Sequence, residues 1–328
     1  MHGIGRRRLI GVLGALACGS SLPGSAQQPQ KVWRIGYLGA EAASVSAYRV
    51  EALRAGLRDL GYTEGKNVLF VFRWADGKYD QLPDLVMEIA RLRADVLVTD
   101  GDKSTLAAKR AATALPIVGN FGDPVALGVV TSLARPGGNI TGLAGFGPEI
   151  MAKRLELIKE VMPRVTRVVV LLNPANPAMG PILRSMEITA RSLRVELQPI
   201  EVRNLDEIEG AFSTAAKRRV GAIVIQNETL FLANHKKIAE LAVKKHIPSF
   251  GRPEFAEVGG LVGYGANSST TSRRTATFVD KILKGAKPAD LPVEQPMIFE
   301  FVVNMRTAKA LGIRVPPTIL LRATKVIE

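Results

Sequence analysis

A short polar run follows an apolar segment at residues 98–109, VTDGDKSTLAAK. Gly101, Lys103 and two hydroxyl residues stand where a strand would pass into a helix, an arrangement that can bind phosphate groups. The phosphate-binding motif requires a Gly-Lys-Ser/Thr triplet with a second glycine five residues earlier, and here Asp102 separates the glycine from the lysine. Asp100 and Asp102 would also repel phosphate. The run therefore does not predict a nucleotide site.

The same run fits a single anionic group better than a triphosphate. A helix that begins near Ser104 leaves its first backbone N–H groups unpaired and carries a partial positive charge at that end. Lys103 can add a full positive charge, and the hydroxyls of Ser104 and Thr105 can donate hydrogen bonds. Asp100 would then accept a bond from an ammonium group of the same ligand. The turn predicts a clamp for an amino acid or similar carboxylate, and the alternative that it only caps the helix stays open.

Polar loops follow the predicted strands in both halves of the chain. They cover residues 39–46, 100–105 and 120–124 in the first half and residues 173–180, 227–231 and 251–254 in the second. Doubly wound sheets bind ligands at this edge, although each loop alone also has the composition of an ordinary turn. Phe146 and Tyr264 flank the predicted crossings between the halves, where they would pack either on a ligand or in the hinge core. The candidate ligand-binding residues are Glu41, Ser44, Asp100, Lys103, Ser104, Thr105, Asn120, Asp123, Phe146, Asn173, Asn176, Asn227, Glu254 and Tyr264.

Two segments share one layout, which predicts the elements that hold these loops. The first has strands at 33–38, 67–73 and 95–99 and helices at 46–60 and 82–93; the second has strands at 167–172, 195–202 and 222–226 and helices at 181–193 and 205–219. A helix at 273–283, an extended stretch at 291–301 and a last helix at 305–311 follow. Continuous β-branched runs that alternate with amphipathic helices are typical of parallel sheets covered on both faces.

The repeated layout predicts the fold class and the domain organisation. The fold class is α/β, with two similar doubly wound, Rossmann-like lobes joined by a multi-strand hinge. Residues 31–144 with about 265–293 are expected to form the first lobe, and residues 145–264 with about 294–328 the second.

The sequence lacks the groups that common enzyme classes require. Cys18 is the only cysteine and lies in the N-terminal leader, which excludes cysteine catalysis and Cys-based metal sites from the mature chain. His235 and His246 have no partner at metal-ligand spacing and are expected at the surface or as caps. No Gly-x-Ser-x-Gly elbow occurs. We therefore expect no catalytic residue, no metal and no cofactor.

The N-terminus and the charge distribution indicate an exported protein. Residues 1–26 have the pattern of a secretory signal, with three arginines at 6–8, an apolar run at 9–18 and small residues up to Ala26. Cleavage after Ala26 gives a periplasmic protein, while twin-arginine export and a lipid anchor on Cys18 stay open. The net charge is +14, but no basic block exceeds three residues and no aromatic residues are interleaved, so no nucleic-acid partner is expected.

Several short sequence runs spread over the mature chain are together highly specific for one kind of protein. They are residues 32–38 (VWRIGYL), 72–79 (FRWADGKY), 122–125 (GDPV) with 133–142 (LARPGGNITG), 255–265 (FAEVGGLVGYG) and 307–312 (TAKALG). In these runs the chain resembles the exported substrate-binding proteins of ABC transporters with a type I periplasmic-binding fold. The resemblance implies a two-lobed, hinge-closing receptor, expected as a monomer, that hands a small molecule to a membrane permease and its ATPase. The chain departs from the family pattern at 100–103 and 226–229, both in ligand loops.

The residues and the resemblance together predict a non-enzymatic periplasmic receptor of an ABC importer, with an amino acid or similar carboxylate as ligand. Two alternatives stay open. One is a ligand sensor that delivers to a membrane signalling protein, and the other is an enzyme on a doubly wound scaffold.

Overall fold

The described part of the chain, residues 31–111 and 114–328 of a computed structural model, contains two β-sheets. The first sheet has the strand order β2-β1-β3-β4-β5 and the second the order β7-β6-β8-β9-β10-β11-β12. The strands are β1 (Trp33–Gly39), β2 (Val68–Trp74), β3 (Val96–Asp100), β4 (Ile117–Phe121), β5 (Ile140–Ala144), β6 (Arg167–Leu172), β7 (Glu196–Glu201), β8 (Ala222–Ile225), β9 (Ser249–Gly251), β10 (Val262–Gly265), β11 (Glu300–Asn304) and β12 (Lys325–Ile327). The predicted signal at 1–26, with Cys18, lies outside the described residues.

The order of the first five strands recurs in the second sheet. Strands β1 to β5 pair in parallel throughout. Strands β6 to β10 repeat that order in parallel, and β11 then pairs antiparallel with β10 and parallel with β12. The predicted α/β class with two doubly wound sheets is confirmed.

Helices cover both sheets. In chain order they are α1 (Ala43–Asp59), α2 (Leu82–Arg91), α3 (Asp102–Arg110), α4 (Gly147–Val161), α5 (Met179–Ser192), α6 (Glu207–Lys217), α7 (Thr229–Ala233), α8 (His235–Lys244), α9 (Pro253–Glu257), α10 (Ser268–Leu283), α11 (Met305–Ala310) and α12 (Pro317–Arg322). Across the described ranges, no helix combines the length and apolar character that a membrane span needs.

The helices and strands form two lobes, which we define by the hydrophobic core into which each element packs. Lobe 1 consists of β1–β5, α1–α3 and α10, and lobe 2 of β6–β12, α4–α9, α11 and α12. Helix α10 belongs to lobe 1 because Phe278 and Val279 pack into the same core as Leu53. The hydroxyl of Tyr62 also donates to Asp280 Oδ1 at 2.9 Å. The domain boundaries given above stay a prediction.

Local sequence explains why these elements form. The strand β6 (RVVVLL) is buried from its second residue onward, as a continuous β-branched and aliphatic run requires in a parallel sheet. Gly142 permits the close approach of β5 to β4, because a Cβ atom there would lie 2.0 Å from the carbonyl oxygen of Gly119. Its φ of 142° also lies in the region that favours glycine.

The C-terminal third differs most from the prediction. Helix α10 begins at Ser268 rather than at 273, because the side chain of Asn267 accepts a hydrogen bond from Thr270 N at 3.0 Å and caps the helix. The predicted extended stretch is a strand only in β11, although Glu294 forms a bridge with Leu143 of β5. Helix α12 and strand β12 were not predicted.

Candidate functional site

A cavity of about 190 Å³ lies between the two lobes. Its walls include the turns after β3, β4 and β8 and two of the three chain crossings between the lobes, at residues 145–148 and 265–268. Apolar side chains separate the charged ones; among them are Phe121, Leu143, Ile150 and Ile182. Polar groups thus converge with apolar surface at the strand ends, where doubly wound folds bind small molecules.

Asp100 is fixed to its own lobe at the end of β3. Its Oδ2 atom accepts hydrogen bonds from Tyr37 Oη at 3.2 Å and Ser46 Oγ at 3.0 Å, and it lies 2.8 Å from Arg49 Nη2. Burial and the Asp100 charge raise the pKa of Tyr37 well above its ordinary value. Because Arg49 already neutralises it, Asp100 is a positioned carboxylate rather than a free one.

Asp102 is the first residue of α3 and lines the cavity. Its Oδ1 accepts a hydrogen bond from the backbone N–H of Gly122 at 2.7 Å. Burial raises the pKa of Asp102 to about 6, and the charges of Glu228 and Asp123 act in the same direction. This wall of the cavity therefore carries a buried carboxylate whose charged form a nearby cation would stabilise.

An ion pair joins the two lobes beside the cavity. Lys103 Nζ of lobe 1 lies 2.7 Å from Glu228 Oε1 of lobe 2, with side-chain exposures of 10% and 1%. The ammonium group also lies 3.5 Å from the centre of the Tyr79 ring. A Cβ atom added to Gly101 would lie 3.5 Å from Thr229 Cγ2 of the other lobe. The strand-end turns of the two lobes are thus in contact in this structure.

Arg154, on α4 in lobe 2, is a fully buried cation. Its Nε and Nη2 atoms donate to the carbonyl oxygen of Tyr264 at 3.0 and 2.8 Å, and Nη1 donates to that of Ile225 at 3.0 Å. Within the described residues no carboxylate pairs with it. Burial and the charge of Arg252 lower the pKa of Arg154 to about 9.

Arg252 is close enough for its charge to act on Arg154, and it pairs with Glu254. Its Nε is 3.4 Å from Glu254 Oε2, and its Nη2 donates to the carbonyl of Ala266 at 3.3 Å and to the Ser268 hydroxyl. Glu254 Oε1 accepts from Ser268 N at 3.0 Å. Burial raises the pKa of Glu254, but the charge of Arg252 and the hydrogen bonds to the carboxylate, including those from Ser268, together lower it to about 2.

Half of the sequence-predicted residues line this cavity. They are Asp100, Lys103, Asn120, Asp123, Phe146, Asn176 and Asn227. Several already hold local structure: Asp123 Oδ1 accepts from the N–H groups of Val125 and Ala126 at 3.1 and 3.0 Å. Asn176 Oδ1 accepts from Ala178 N at 2.8 Å.

The other seven candidates are not part of the cavity wall in this structure, and their role in ligand binding stays a prediction. They are Glu41, Ser44, Ser104, Thr105, Asn173, Glu254 and Tyr264. Ser44 is exposed on α1, and Ser104 is buried inside α3. The Thr105 hydroxyl lies 2.7 Å from Thr99 Oγ1 and donates to the carbonyl of Gly101 at 3.0 Å, so it supports the turn itself.

The remaining four of these residues support elements around the cavity. Glu41 Oε1 accepts from the Tyr79 hydroxyl at 2.5 Å, and buried Asn173 holds its own turn by accepting from Ala175 N at 3.0 Å. Glu254 caps the start of α10, as described above. Tyr264 stacks on Phe299 at 6.0 Å and faces a separate groove formed with α4.

Sequence reasoning missed the arginines and two acids of the cavity wall. They are Arg49, Asp102, Arg154, Glu228 and Arg252. A signal existed for two of them: Arg154 lies four residues from both Ile150 and Ile158, on the apolar stripe of α4. Arg49 lies in the same way four residues before Leu53 on α1. A charge inside an apolar stripe is buried, and a buried charge needs a partner.

His235 was expected at the surface or as a cap, and this expectation was wrong. Its side chain is buried, and its ring packs edge-on against Phe255 with a centroid distance of 5.3 Å. Burial lowers the pKa of His235 to about 3, so the ring is neutral. In the part of the chain that the structure describes, no group of three or more His, Cys, Asp or Glu residues could hold a metal ion.

The two-lobed fold and its cavity define the class of a solute receptor, and comparison with known proteins identifies the family. The family described as ABC transporter substrate binding protein matches residues 43–327, so the chain belongs to that family. Members of this family lie outside the cytoplasm, where they bind solutes for a transporter, and they are not enzymes. The predicted family and the absence of enzymatic function are thereby confirmed.

Relatives of the chain include proteins of known ligand. A tyrosine-binding protein of Clostridioides difficile (strain R20291) is 23% identical over 260 residues, which cover 79% of this chain and 74% of that protein. A conserved domain protein of Vibrio cholerae O1 biovar El Tor has a TM-score of 0.85 at 26% identity, covering 90% and 100% of the two chains. The ABC domain of Streptococcus pneumonia in complex with L-Trp has a TM-score of 0.84 at 23% identity, with the same coverage.

Proposed function

We propose that this protein is the periplasmic receptor of an ABC importer and that it binds an amino acid in the cavity between its lobes. The observation that carries the proposal is the cavity wall itself. It presents carboxylates from the turns after β3 and β4, guanidinium groups from lobe 2, and apolar side chains between them. An α-amino acid offers the complementary groups, namely an ammonium, a carboxylate and an apolar side chain.

The relatives support this class of ligand. One is a tyrosine-binding protein, and a structural neighbour holds L-Trp. Polyols are the contrasting class, because a solute-binding protein with bound myo-inositol shares the fold at a TM-score of 0.60 and 12% identity. A polyol carries no charge and would leave the charged walls without partners.

The experiment is a binding screen on protein from which co-purified ligand has been removed by unfolding and refolding. Calorimetry with the twenty L-amino acids should give saturable binding for at least one of them, and none with myo-inositol or allitol. Native mass spectrometry of the unrefolded protein should show an amino acid as the co-purified molecule. Binding of a polyol with no response to amino acids would contradict the proposal.

Closure of the lobes around the ligand is part of the same proposal. The chain crosses between the lobes after β5, after β10 and before β11, so motion is confined to a few backbone segments. We expect the monomeric protein to change its radius of gyration in small-angle scattering when a bound amino acid is removed. An unchanged radius would contradict closure while leaving the ligand class intact.

We propose that the protein delivers its ligand to a permease and its ATPase in the inner membrane. The signal at 1–26 would direct export, and Cys18 would either carry a lipid or be removed with the signal. Fractionation of cells that express the full chain should place it in the periplasm. A Cys18→Ala variant should remain there if the soluble route applies.

A further inference from the structure

Apart from Arg49 and Asp100, which pair with each other, the charges that line the cavity fall into two groups. The first consists of Asp102, Asp123, Lys103 and Glu228, and these are the neighbours whose charges act on Asp102. Lys103 is already paired with Glu228, as described. Among the described residues of this group, two carboxylates therefore lack a cation.

The second group consists of Arg154 and Arg252 with Glu254. These are the charges that act on Arg154, and the carboxylates of the first group are not among them. Both arginines line the cavity, whereas Glu254 does not. Two guanidinium groups thus share one carboxylate, and the surplus positive charge faces the cavity.

A surplus buried charge is costly. Removing a cation from water without a partner costs several kcal/mol, and backbone carbonyls compensate only part of this. Arg154 is 0% exposed and has only carbonyl oxygens and the Met151 sulfur as partners, so it cannot be hydrated in place. The Arg252 side chain is 23% exposed and can reach a bound molecule. A ligand carboxylate at Arg252 would neutralise both.

The first group carries surplus negative charge and therefore needs a cation. Asp102 and Asp123 add negative charge to a wall on which Asn227 Oδ1 is a buried acceptor without a donor in the described chain. An ammonium group offers three N–H donors and a positive charge. It would satisfy the amide oxygen and the carboxylates together.

We infer that the ligand carboxylate binds Arg252, with Arg154 behind it, and that the ligand ammonium group binds beside Asp102. This inference rests on the proposed amino-acid ligand and reverses the orientation expected from the sequence, which placed the carboxylate at residues 100–105. Arg252 and Asp102 become the residues that select for an intact α-amino acid.

The test pairs ligand analogues with protein variants. The probes are L-tyrosine, L-tryptophan and L-leucine, each with its carboxamide, which lacks the negative charge, and its deaminated acid, which lacks the ammonium group. Wild type should bind each carboxamide and each deaminated acid about tenfold to hundredfold more weakly than the amino acid. Equal binding of amino acid and carboxamide by wild type would overturn the inference without any variant.

Arg252→Gln should reduce the preference for the amino acid over its carboxamide to within about threefold, while the preference over the deaminated acid persists. Asp102→Asn should show the reverse pattern. Arg252→Lys should retain part of the preference, since it keeps the charge but loses the planar fork. Arg273→Gln, an exposed arginine on α10 paired with Asp59, is the matched control and should behave as wild type.

The outcomes separate the two proposals. If wild type binds none of the twenty L-amino acids of the screen, the amino-acid ligand is wrong and the inference falls with it; if it binds others than these three, those amino acids and their analogues are the probes. If wild type binds them and Arg252→Gln discriminates as wild type does, the inference alone is overturned. Urea unfolding of each variant identifies a folding failure, and in that case the wild-type preference among the three ligand forms decides.

Discussion

Two buried ion pairs of nearly equal geometry have different consequences for the protein. Arg49 and Asp100 lie 2.8 Å apart within lobe 1, and Lys103 and Glu228 lie 2.7 Å apart across the two lobes. The first pair forms whenever lobe 1 folds. The second forms only while the lobes touch, and each partner can reach water when they separate. The first pair therefore bears on the stability of the fold, and the second on the lobe closure proposed above.

The largest expected effect is that of Arg49→Met. It leaves the Asp100 carboxylate buried without its cation, and we expect the free energy of unfolding to fall by about 3–5 kcal/mol. Urea unfolding measures this. Arg54→Met is the control, because Arg54, also on α1, pairs with Glu51 and Glu64 at greater exposure and its loss should lower the free energy of unfolding by less than about 1 kcal/mol. Equal losses of unfolding free energy in the two variants would show that the buried pair with Asp100 matters no more for stability than the more exposed pairs of Arg54.

Lys103→Met should act on binding rather than on folding. The closed form loses its link between the lobes, so an amino acid identified in the screen should dissociate faster and bind about tenfold to hundredfold more weakly. Stopped-flow dissociation and calorimetry measure this, with Lys153→Met, at an exposed pair with Glu156, as control. An unchanged affinity with a loss of stability as large as that of Arg49→Met would make the two ion pairs equivalent.

The pH dependence of the free energy of unfolding should reveal the titration of Asp102. Its pKa is raised by burial from 3.8 to about 6, so between these values the folded protein holds a proton that the unfolded chain has released. At this site the folded state binds more protons, so Asp102 contributes a fall of about 1–2 kcal/mol in the free energy of unfolding between ~pH 4 and ~pH 6.5. Buried His235, whose pKa is lowered to about 3, contributes a rise over the same window, so the contribution of Asp102 is measured as the difference between wild type and Asp102→Asn. In Asp102→Asn the fall contributed by Asp102 should be absent. The same slope in variant and wild type would show that other groups cause it.

Ser104→Ala should have the smallest effect. Its hydroxyl is buried in α3, has no hydrogen-bond partner in the described ranges and does not line the cavity. We expect affinity within about twofold of wild type and stability within about 0.5 kcal/mol, since an unpaired buried hydroxyl contributes little that alanine lacks. Calorimetry and thermal unfolding check both values. A larger loss of affinity would restore the clamp predicted from residues 100–105.

The fold was largely predictable because local pattern determines it. Buried parallel strands read as continuous β-branched runs, and the two copies of the layout reinforce each other. The end of the chain was not predictable in this way. Strand β12 has only three residues and pairs with β11 alone, so tertiary contact rather than local pattern defines it.

The site was predictable in location but not in its charges. Small polar residues at strand ends marked the turns, since parallel strands bring their carboxyl ends to one edge. Long basic side chains are usually exposed, and although the apolar stripe of α4 signals that Arg154 is buried, nothing local in the sequence identifies the partners of Arg154 or Arg252. Their pairing depends on residues far away along the chain, such as the Tyr264 carbonyl, 110 positions from Arg154. Only the folded arrangement gives such a pairing.

Lobe 1 is built from distant parts of the chain, because α10 packs against α1 and Tyr62 bonds to Asp280, 218 positions away. A ribosome adds about 5–20 residues per second, so the early strands wait roughly 10–40 s for their last partner. Throughout that interval lobe 1 lacks one side of its core. The early strands of lobe 1 therefore cannot bury that side of the core until synthesis reaches α10, which begins at residue 268 of 328.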